Sequence, residues 1–211
     1  MDFIKEPMAI ENRSMELIAP HLEDLDLDER ATKLYSRLIH ASGDVGYAPI
    51  TRVHPEAIDR AIEALKAGAH IYTDVEMVRT GINKKKLASF GGEVHCLVAD
   101  PDVAVRAKEL GITRAMVAMR QFGKALNGSI VAIGNAPTAL FEVLRLVREE
   151  GIRPACIVGI PVGFVGAAES KAALAAHGIV PYITVEGTKG GSPIAAAAIN
   201  ALMYLIDNTR P

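Results

Sequence analysis

Residues 129–149 decide the fold, and their sequence is SIVAIGNAPTALFEVLRLVRE. Residues 129–134 are apolar almost throughout and have the length of a strand that is buried on both faces, as in a parallel sheet. A glycine turn follows at 134–136, and Pro137 is placed as a first helical residue, where its missing N–H costs nothing. Apolar residues then recur at helical spacing from 138 to 149. The stretch therefore predicts a strand, a short turn and a helix.

The same alternation extends over most of the chain. Four more short apolar runs, at 70–73, 94–99, 155–160 and 182–185, predict strands. Amphipathic segments predict helices at 10–19, 27–39, 56–67, 76–81, 103–110, 114–126, 168–176 and 193–206. Strand and helix in repetition predict an α/β fold: one three-layer domain over residues 1–211, with a mainly parallel sheet and helices on both faces. The lysine run at 84–86 is expected to be a solvated turn.

Composition excludes several classes of function. The chain has 211 residues, of which 50% are hydrophobic and 23% are charged, so it can bury a sizeable core. Its formal net charge of −2 provides no basic field for nucleic acid or an anionic membrane. No apolar stretch approaches the ~20 residues of a membrane span, no apolar signal segment follows Met1, and two cysteines rule out a disulfide framework. We therefore expect a cytoplasmic protein that binds neither nucleic acid nor membrane.

Three glycine-rich loops follow consecutive predicted strands, at residues 134–138, 159–166 and 186–193. The carboxyl ends of parallel strands are where such folds bind ligands. Glycine lets the backbone approach a ligand closely, and the N–H groups at a helix start attract negative charge. Each loop taken singly could be a tight turn and nothing more. The three together predict an anion-binding edge of the sheet, with Ser192 as a helix N-cap.

Familiar catalytic motifs are absent from the sequence. The segment GTKGGS at 187–192 lacks the spacing of a phosphate-binding P-loop, and neither G-x-G-x-x-G nor G-x-S-x-G occurs. The six histidines show no metal-ligand spacing, so a bound metal is not expected.

His40 is the histidine whose position suggests chemistry. It lies near the end of the helix predicted at 27–39, where the terminal carbonyls favour the protonated imidazolium. Such a group is suited to donate a proton near neutral pH. The alternative is a surface histidine that only caps the helix.

Six motifs occur in order along the chain: RLIH at 37–40, DVEMV at 74–78, CLVADP at 96–101, GNAPTALF at 134–141, PVGFVGAAESK at 161–171 and KGGS at 189–192. Together they resemble the precorrin-8X methylmutase family of cobalamin biosynthesis. The resemblance implies a flavodoxin-like fold and a homodimer without a cofactor. It implies an isomerase that moves a methyl group from C-11 to C-12 of a contracted tetrapyrrole, giving hydrogenobyrinic or cobyrinic acid. The family's proton-donating histidine falls on His40, and its substrate-contacting serine falls on Ser14.

The predicted substrate site combines these motifs with cationic and polar residues. The tetrapyrrole carries several acetate and propionate groups, which cations and glycine-rich helix starts can bind. Apolar side chains would cover the flat macrocycle, although each fits ordinary core packing equally well. Besides catalytic His40, the predicted substrate contacts are Arg13, Ser14, Asp74, Met77, Val78, Arg114, Asn135, Thr138, Gly163, Ser170, Lys171, Lys189, Gly190, Gly191 and Ser192.

Two other interpretations stay open on the sequence. A corrinoid-binding carrier would hold the same pigment in the same pocket without changing it. A phosphate-binding enzyme of the flavodoxin type, which would take FMN or a nucleotide, is the weaker alternative. The motifs are shared by the cobalt-containing and cobalt-free versions of the pathway, so both substrates remain open.

Overall fold

A six-stranded sheet forms the centre of the computed structural model, which describes residues 3–207. Its strands are β1 (Thr51–Val53), β2 (Ile71–Thr73), β3 (Val94–Cys96), β4 (Ile130–Ile133), β5 (Cys156–Gly159) and β6 (Tyr182–Val185). Their spatial order is β1-β6-β5-β4-β2-β3. Strands β2 to β6 are mutually parallel, and β1 pairs antiparallel with β6. The five predicted strands and the mainly parallel sheet are confirmed.

The parallel strands have the connectivity of a flavodoxin-like fold. Without β1 the spatial order is β3-β2-β4-β5-β6, which is the 2-1-3-4-5 order of that class. The strand order reverses between β2 and β4. Ligands of such folds bind outside the carboxyl ends of the strands at this switch point. A ligand site is therefore expected at the edge of the sheet where β2, β4, β5 and β6 end, which we call the carboxyl edge.

Helices cover both faces of the sheet. In the described residues they are α1 (Pro7–Ile18), α2 (Glu29–Ser42), α3 (Ala57–Lys66), α4 (Glu76–Gly81), α5 (Lys84–Ser89), α6 (Pro101–Leu110), α7 (Arg114–Phe122), α8 (Pro137–Glu149), α9 (Ala167–His177) and α10 (Ser192–Asp207). Strand β4 shows why two layers are needed: Ile130 and Ala132 belong to one core, whereas Val131 and Ile133 belong to the other. Successive side chains of a strand point to opposite faces, so a wholly apolar strand must be covered twice.

Two local predictions were wrong, and one strand was missed. Strand β1 was not predicted because three residues with Arg52 at their centre make too short an apolar pattern. Residues 84–86 begin a helix, since the Asn83 side chain accepts the N–H of Lys86 at 3.1 Å and Leu87 is fully buried. Ser192 is itself the first residue of α10, and the preceding Gly191 carbonyl accepts the helical N–H of residue 195 at 3.0 Å.

The end of α2 lies at the carboxyl edge. Helix α2 packs against α10, and Ser42 at the end of α2 and Pro193 at the start of α10 line one cavity. Gly43 ends α2 in the left-handed conformation, with φ of 63°, as a helix-terminating glycine should. A buried ion pair between Glu11 and Arg37 ties α1 to α2. This packing brings α1 and the last turn of α2 to the same edge as the loops of the sheet.

Two features bear on the cellular context. Within the described part of the chain, none of the helices has the length and apolarity that crossing a bilayer requires. Both cysteines are free thiols: Cys156 is buried and Cys96 is half-buried.

Candidate active site at the carboxyl edge

His40 and Ser14 open onto one cavity beside the end of α2. The His40 side chain is exposed, and its ring takes part in no hydrogen bond within residues 3–207. Ser14, on the neighbouring α1, donates its hydroxyl to the carbonyl of Ile10 at 2.8 Å. The cavity has a volume of about 330 Å³ and is lined by Ser14, Leu17, Ile18, Ile39, His40, Gly43 and Val45. The structure therefore brings together the two residues that the family resemblance implied.

Lys189 lies in a second cavity on the other side of the α2 terminus. This cavity has a volume of about 400 Å³ and extends between the end of α2 and the loop that follows β6. The ammonium group of Lys189 donates to the Asp44 carboxylate, and this bond is the main reason that the pKa of Asp44 lies below its usual value. The same ammonium group lies 5.7 Å from the ring centre of Tyr47. Asp44 and Tyr47 were not predicted as site residues, although Asp44 directly follows the helix-ending Gly43.

The loops after β5 and β6 are bonded to each other. The Gly163 N–H donates to the Thr188 carbonyl at 3.1 Å, and the Gly191 N–H donates to the Ile160 carbonyl at 2.9 Å. Gly190 has a φ of 153°, and a Cβ atom there would lie 2.5 Å from the Ile160 carbonyl oxygen. Glycine is required at this position because main chain packs directly on main chain. The predicted glycines thus shape the edge by letting two loops approach each other.

Lys171 supports the Lys189 loop from inside the protein. Its side chain is 1% exposed, and its ammonium group donates to the main-chain carbonyl of Lys189. Burial lowers the pKa of Lys171 to about 8. The adjacent Ser170 is fully buried and donates its hydroxyl to the Ala167 carbonyl at 3.0 Å. The prediction that Ser170 and Lys171 contact a ligand directly is therefore corrected: both side chains face the interior, and Lys171 positions a loop.

Asp74 fills the anion-binding position at the switch point. Its carboxylate is fully buried and accepts three main-chain N–H groups, from Gly134 at 3.0 Å, Asn135 at 2.8 Å and Ala136 at 2.6 Å. Burial raises the pKa of this carboxyl, and the three amide bonds oppose that rise. Main-chain amides at a helix start beside the switch point can bind an anion, and here the Asp74 carboxylate is that anion. The prediction that Asp74 contacts the substrate is therefore corrected.

The apolar residues near the edge divide into exposed and buried ones. Met77 is 65% exposed, whereas Val78 is fully buried beside Gly134. The prediction that Val78 covers a ligand is corrected, because the turn of α4 directs it into the core. Ser192 is also buried, at 5% exposure. In the loop after β5, Phe164 and Val165 are 93% and 90% exposed and are available to a flat apolar ligand.

Exposed polar and cationic residues complete the edge. The hydroxyl groups of Thr113 and Thr138 lie 2.9 Å apart, which brings the start of α7 to the start of α8. Arg114, next to Thr113, is exposed and forms no ion pair with any residue from 3 to 207. A cation at a helix N-terminus opposes the helix dipole, so the helix itself does not stabilise the charge of Arg114. Asn135 is also exposed, and Arg13 forms an exposed ion pair with Glu16 at 2.9 Å.

Comparisons with known proteins give a consistent result. A family model described as precorrin-8X methylmutase matches residues 9–205. The chain is 42% identical over 203 residues to a cobalt-precorrin-8 methylmutase of Priestia megaterium, covering 96% of this chain and 90% of that protein. It is 43% identical over 202 residues to a precorrin-8X methylmutase of a Sinorhizobium species, covering 95% and 96%. The solved structure of a precorrin-8X methyl mutase from Thermus thermophilus superimposes with a TM-score of 0.87 at 38% identity, covering 95% of this chain and 96% of that one.

Proposed function

Because the chain belongs to the precorrin-8X methylmutase family, we propose that His40 is the proton donor of its methyl transfer. The protein is an isomerase of cobalamin biosynthesis, and it moves a methyl group from C-11 to C-12 of precorrin-8 or cobalt-precorrin-8. The product is hydrogenobyrinic acid, or cobyrinic acid where the ring contains cobalt. The alternative of a carrier without catalysis is not supported, because the relatives described above are named as mutases.

The chemistry needs a proton in the right place and little else. The bond between C-11 and the methyl carbon breaks as the bond to C-12 forms, and the methyl group moves with its bonding pair. A proton on the macrocycle draws electron density through the conjugated system and eases this shift. Substrate and product are isomers, so the proton that the macrocycle accepts is released again. His40 suits this exchange because an imidazole can both donate and accept a proton.

The shared cavity of His40 and Ser14 is the observation that carries this assignment. The ring of His40 is exposed, and within residues 3–207 no hydrogen bond restrains it. It lies in the last turn of α2, which ends at the carboxyl edge. A macrocycle lying over this edge would meet His40 at one side and the loops of the sheet at the other.

We propose that the exposed cations of this edge bind the substrate's carboxylate groups. Lys189 and Arg114 are the main candidates, with Arg13 beside Ser14 and with Asn135 and Thr138 as hydrogen-bond donors. The main chain of Gly163, Gly190 and Gly191 shapes the floor. Met77, Phe164 and Val165 would cover the faces of the ring.

We also propose a homodimer located in the cytoplasm. Large exposed apolar side chains support association, among them Met8 and Ile10 on α1. Light scattering coupled to size-exclusion chromatography tests the dimer, which a mass of one chain at micromolar concentration would exclude.

The decisive experiment follows conversion of the pigment by the wild type and by His40→Ala. The wild type should change the visible spectrum of the tetrapyrrole without changing its mass. His40→Ala should still bind the pigment but convert it 10²- to 10⁴-fold more slowly, which is the usual contribution of a general acid. His177→Ala is the matched control, because His177 also lies in the last turn of a helix, α9, and should retain full activity.

Two results would contradict the proposal. Full activity of His40→Ala would remove its role as proton donor. An unchanged chromophore with the wild type would instead favour a carrier. Mass spectrometry of the pigment that co-purifies with the protein also establishes whether the ring contains cobalt.

A further inference from the structure

Three metal-binding side chains meet on one face of β2 and β3, at the ends where these strands begin. His70 directly precedes β2, Glu93 directly precedes β3, and His95 is the middle residue of β3. One ligand atom from each residue lies within 4.8 Å of the other two. The rings of His70 and His95 have centres 5.1 Å apart, and Nε2 of His95 lies 3.9 Å from Oε2 of Glu93.

Strand register explains why the three residues meet. Tyr72 is paired with His95 in the parallel ladder, which places His70 beside Glu93 two residues earlier. Side chains two residues apart on a strand share a face, so the four side chains form a two-by-two array. The histidines are 25 residues apart in the chain, so spacing along the sequence gave no sign of the cluster.

We propose that His70, Glu93 and His95 bind a divalent transition-metal ion of the zinc, cobalt and nickel class. Two imidazoles and one carboxylate are ligands that these ions prefer, whereas magnesium and calcium prefer oxygen alone. Metal–ligand bonds of about 2.0–2.2 Å require the three ligand atoms to be roughly 3.3 Å apart. Rotation of the exposed side chains of His70 and Glu93 closes the remaining distance. Water completes the coordination.

Neighbouring groups orient the two rings, through stacking for His95 and through one exposed hydrogen bond for His70. His95 stacks on Tyr72, with ring centres 5.1 Å apart and planes inclined by 25°, and Tyr72 packs edge-on against Phe122 at 4.6 Å. Nδ1 of His70 accepts the main-chain N–H of Glu93 at 3.1 Å. A neutral imidazole has one nitrogen lone pair in the ring plane for a metal, and in His70 this hydrogen bond uses it. Metal binding therefore releases the Glu93 N–H, which provides a specific signal.

The cluster is separate from the carboxyl edge. His70 and Glu93 precede their strands, whereas Asp74, Asn135 and Lys189 follow theirs. The cluster therefore lies at the end of the parallel strands opposite to the proposed substrate site.

Calorimetric titration of the untagged, chelator-treated full chain with zinc chloride tests the proposal. The wild type should bind one zinc ion per chain at the cluster. His95→Ala and Glu93→Gln should each weaken this binding at least tenfold. His54→Ala is the matched control. Nδ1 of His54 also accepts a main-chain N–H, from Glu56 at 3.2 Å, and its ring also packs on a tyrosine, but within the described chain His54 belongs to no ligand cluster. The His54→Ala variant should bind zinc within twofold of the wild type.

A second measurement does not depend on the variants. In a ¹⁵N-correlated spectrum, zinc should shift the main-chain amide signal of Glu93 and leave that of Glu56 unchanged. The proposal is overturned if the wild type binds no zinc, if His95→Ala and Glu93→Gln bind as tightly as the wild type, or if the Glu93 amide does not respond.

Discussion

Removing the Asp74 carboxylate tests how the switch point is built. In Asp74→Ala the N–H of Gly134 is left buried without an acceptor, which costs about 1–3 kcal/mol. The N–H groups of Asn135 and Ala136 are only part-buried, and losing a cap of this kind costs about 1 kcal/mol each. Because the variant no longer buries a carboxylate, part of this loss of unfolding free energy is offset. We expect a net destabilisation of about 3 kcal/mol, or a fall in Tm of roughly 6–12 °C for a chain of this size.

Thermal or urea unfolding measures the effect, and Asp28→Ala is the matched control. The Asp28 carboxylate also caps a helix, accepting the N–H of Ala31 at 2.7 Å, but it is exposed. Its removal should cost about 1 kcal/mol.

An added anion should partly restore the variant. Sulfate can enter the space left by the Asp74 carboxylate and accept the same N–H groups. At ten times its dissociation constant it would restore about 1.4 kcal/mol. Sulfate stabilises most proteins to some degree, so the relevant quantity is its extra effect on Asp74→Ala over the wild type. A loss no larger than that of Asp28→Ala, or an equal response of both proteins to sulfate, would refute the assignment of an internally filled anion site.

Three further substitutions, with Gly187→Ala as the control for one of them, test the support of the Lys189 loop and its role in binding. Because the pKa of Lys171 is lowered to about 8 in the folded protein, the unfolded chain holds more protons between pH 8 and 10.5. This lysine therefore makes the free energy of unfolding rise with pH in that range. Cys156 has the opposite effect, because burial raises its pKa to about 12. The difference in unfolding free energy between wild type and Lys171→Met should consequently grow in favour of the wild type from pH 8 to 10.5, and a constant difference would contradict the lowered pKa. In urea unfolding, Gly190→Ala should lose at least about 2 kcal/mol more unfolding free energy than Gly187→Ala. Both glycines have positive φ, but only a Cβ at position 190 would lie 2.5 Å from a carbonyl oxygen. Equal losses would mean that the two loops separate easily. Lys189→Ala should raise KM at least tenfold with little change in kcat, and an unchanged KM would exclude carboxylate binding by this residue.

The positions of the strands and loops could be predicted from the sequence because a strand that is buried on both faces is apolar at every position. Residues 130–133 and 156–159 are buried throughout, so each strand is an uninterrupted apolar run. Glycine-rich segments then mark where these runs end. Strand β1 has no such apolar run, since it is an edge strand with Arg52 turned to solvent.

The direction of each side chain at the edge could not be predicted in the same way. Asp74 and Lys171 are charged residues, which favours exposure, yet both are buried because main-chain groups satisfy them. Met77 and Val78 are adjacent apolar residues, and only the exact phase of a short helix determines which one is exposed. His70 and His95 meet through strand register, which depends on the whole sheet.

Strand β1 also determines how the sheet ends. By pairing with β6 it occupies main-chain groups that would otherwise be open to a strand from another molecule. Within residues 3–207 the borders of the sheet are then β1 and β3, and three residues in each offer little length for such an addition. Very short strands at both borders of a sheet disfavour edge-to-edge pairing with another molecule.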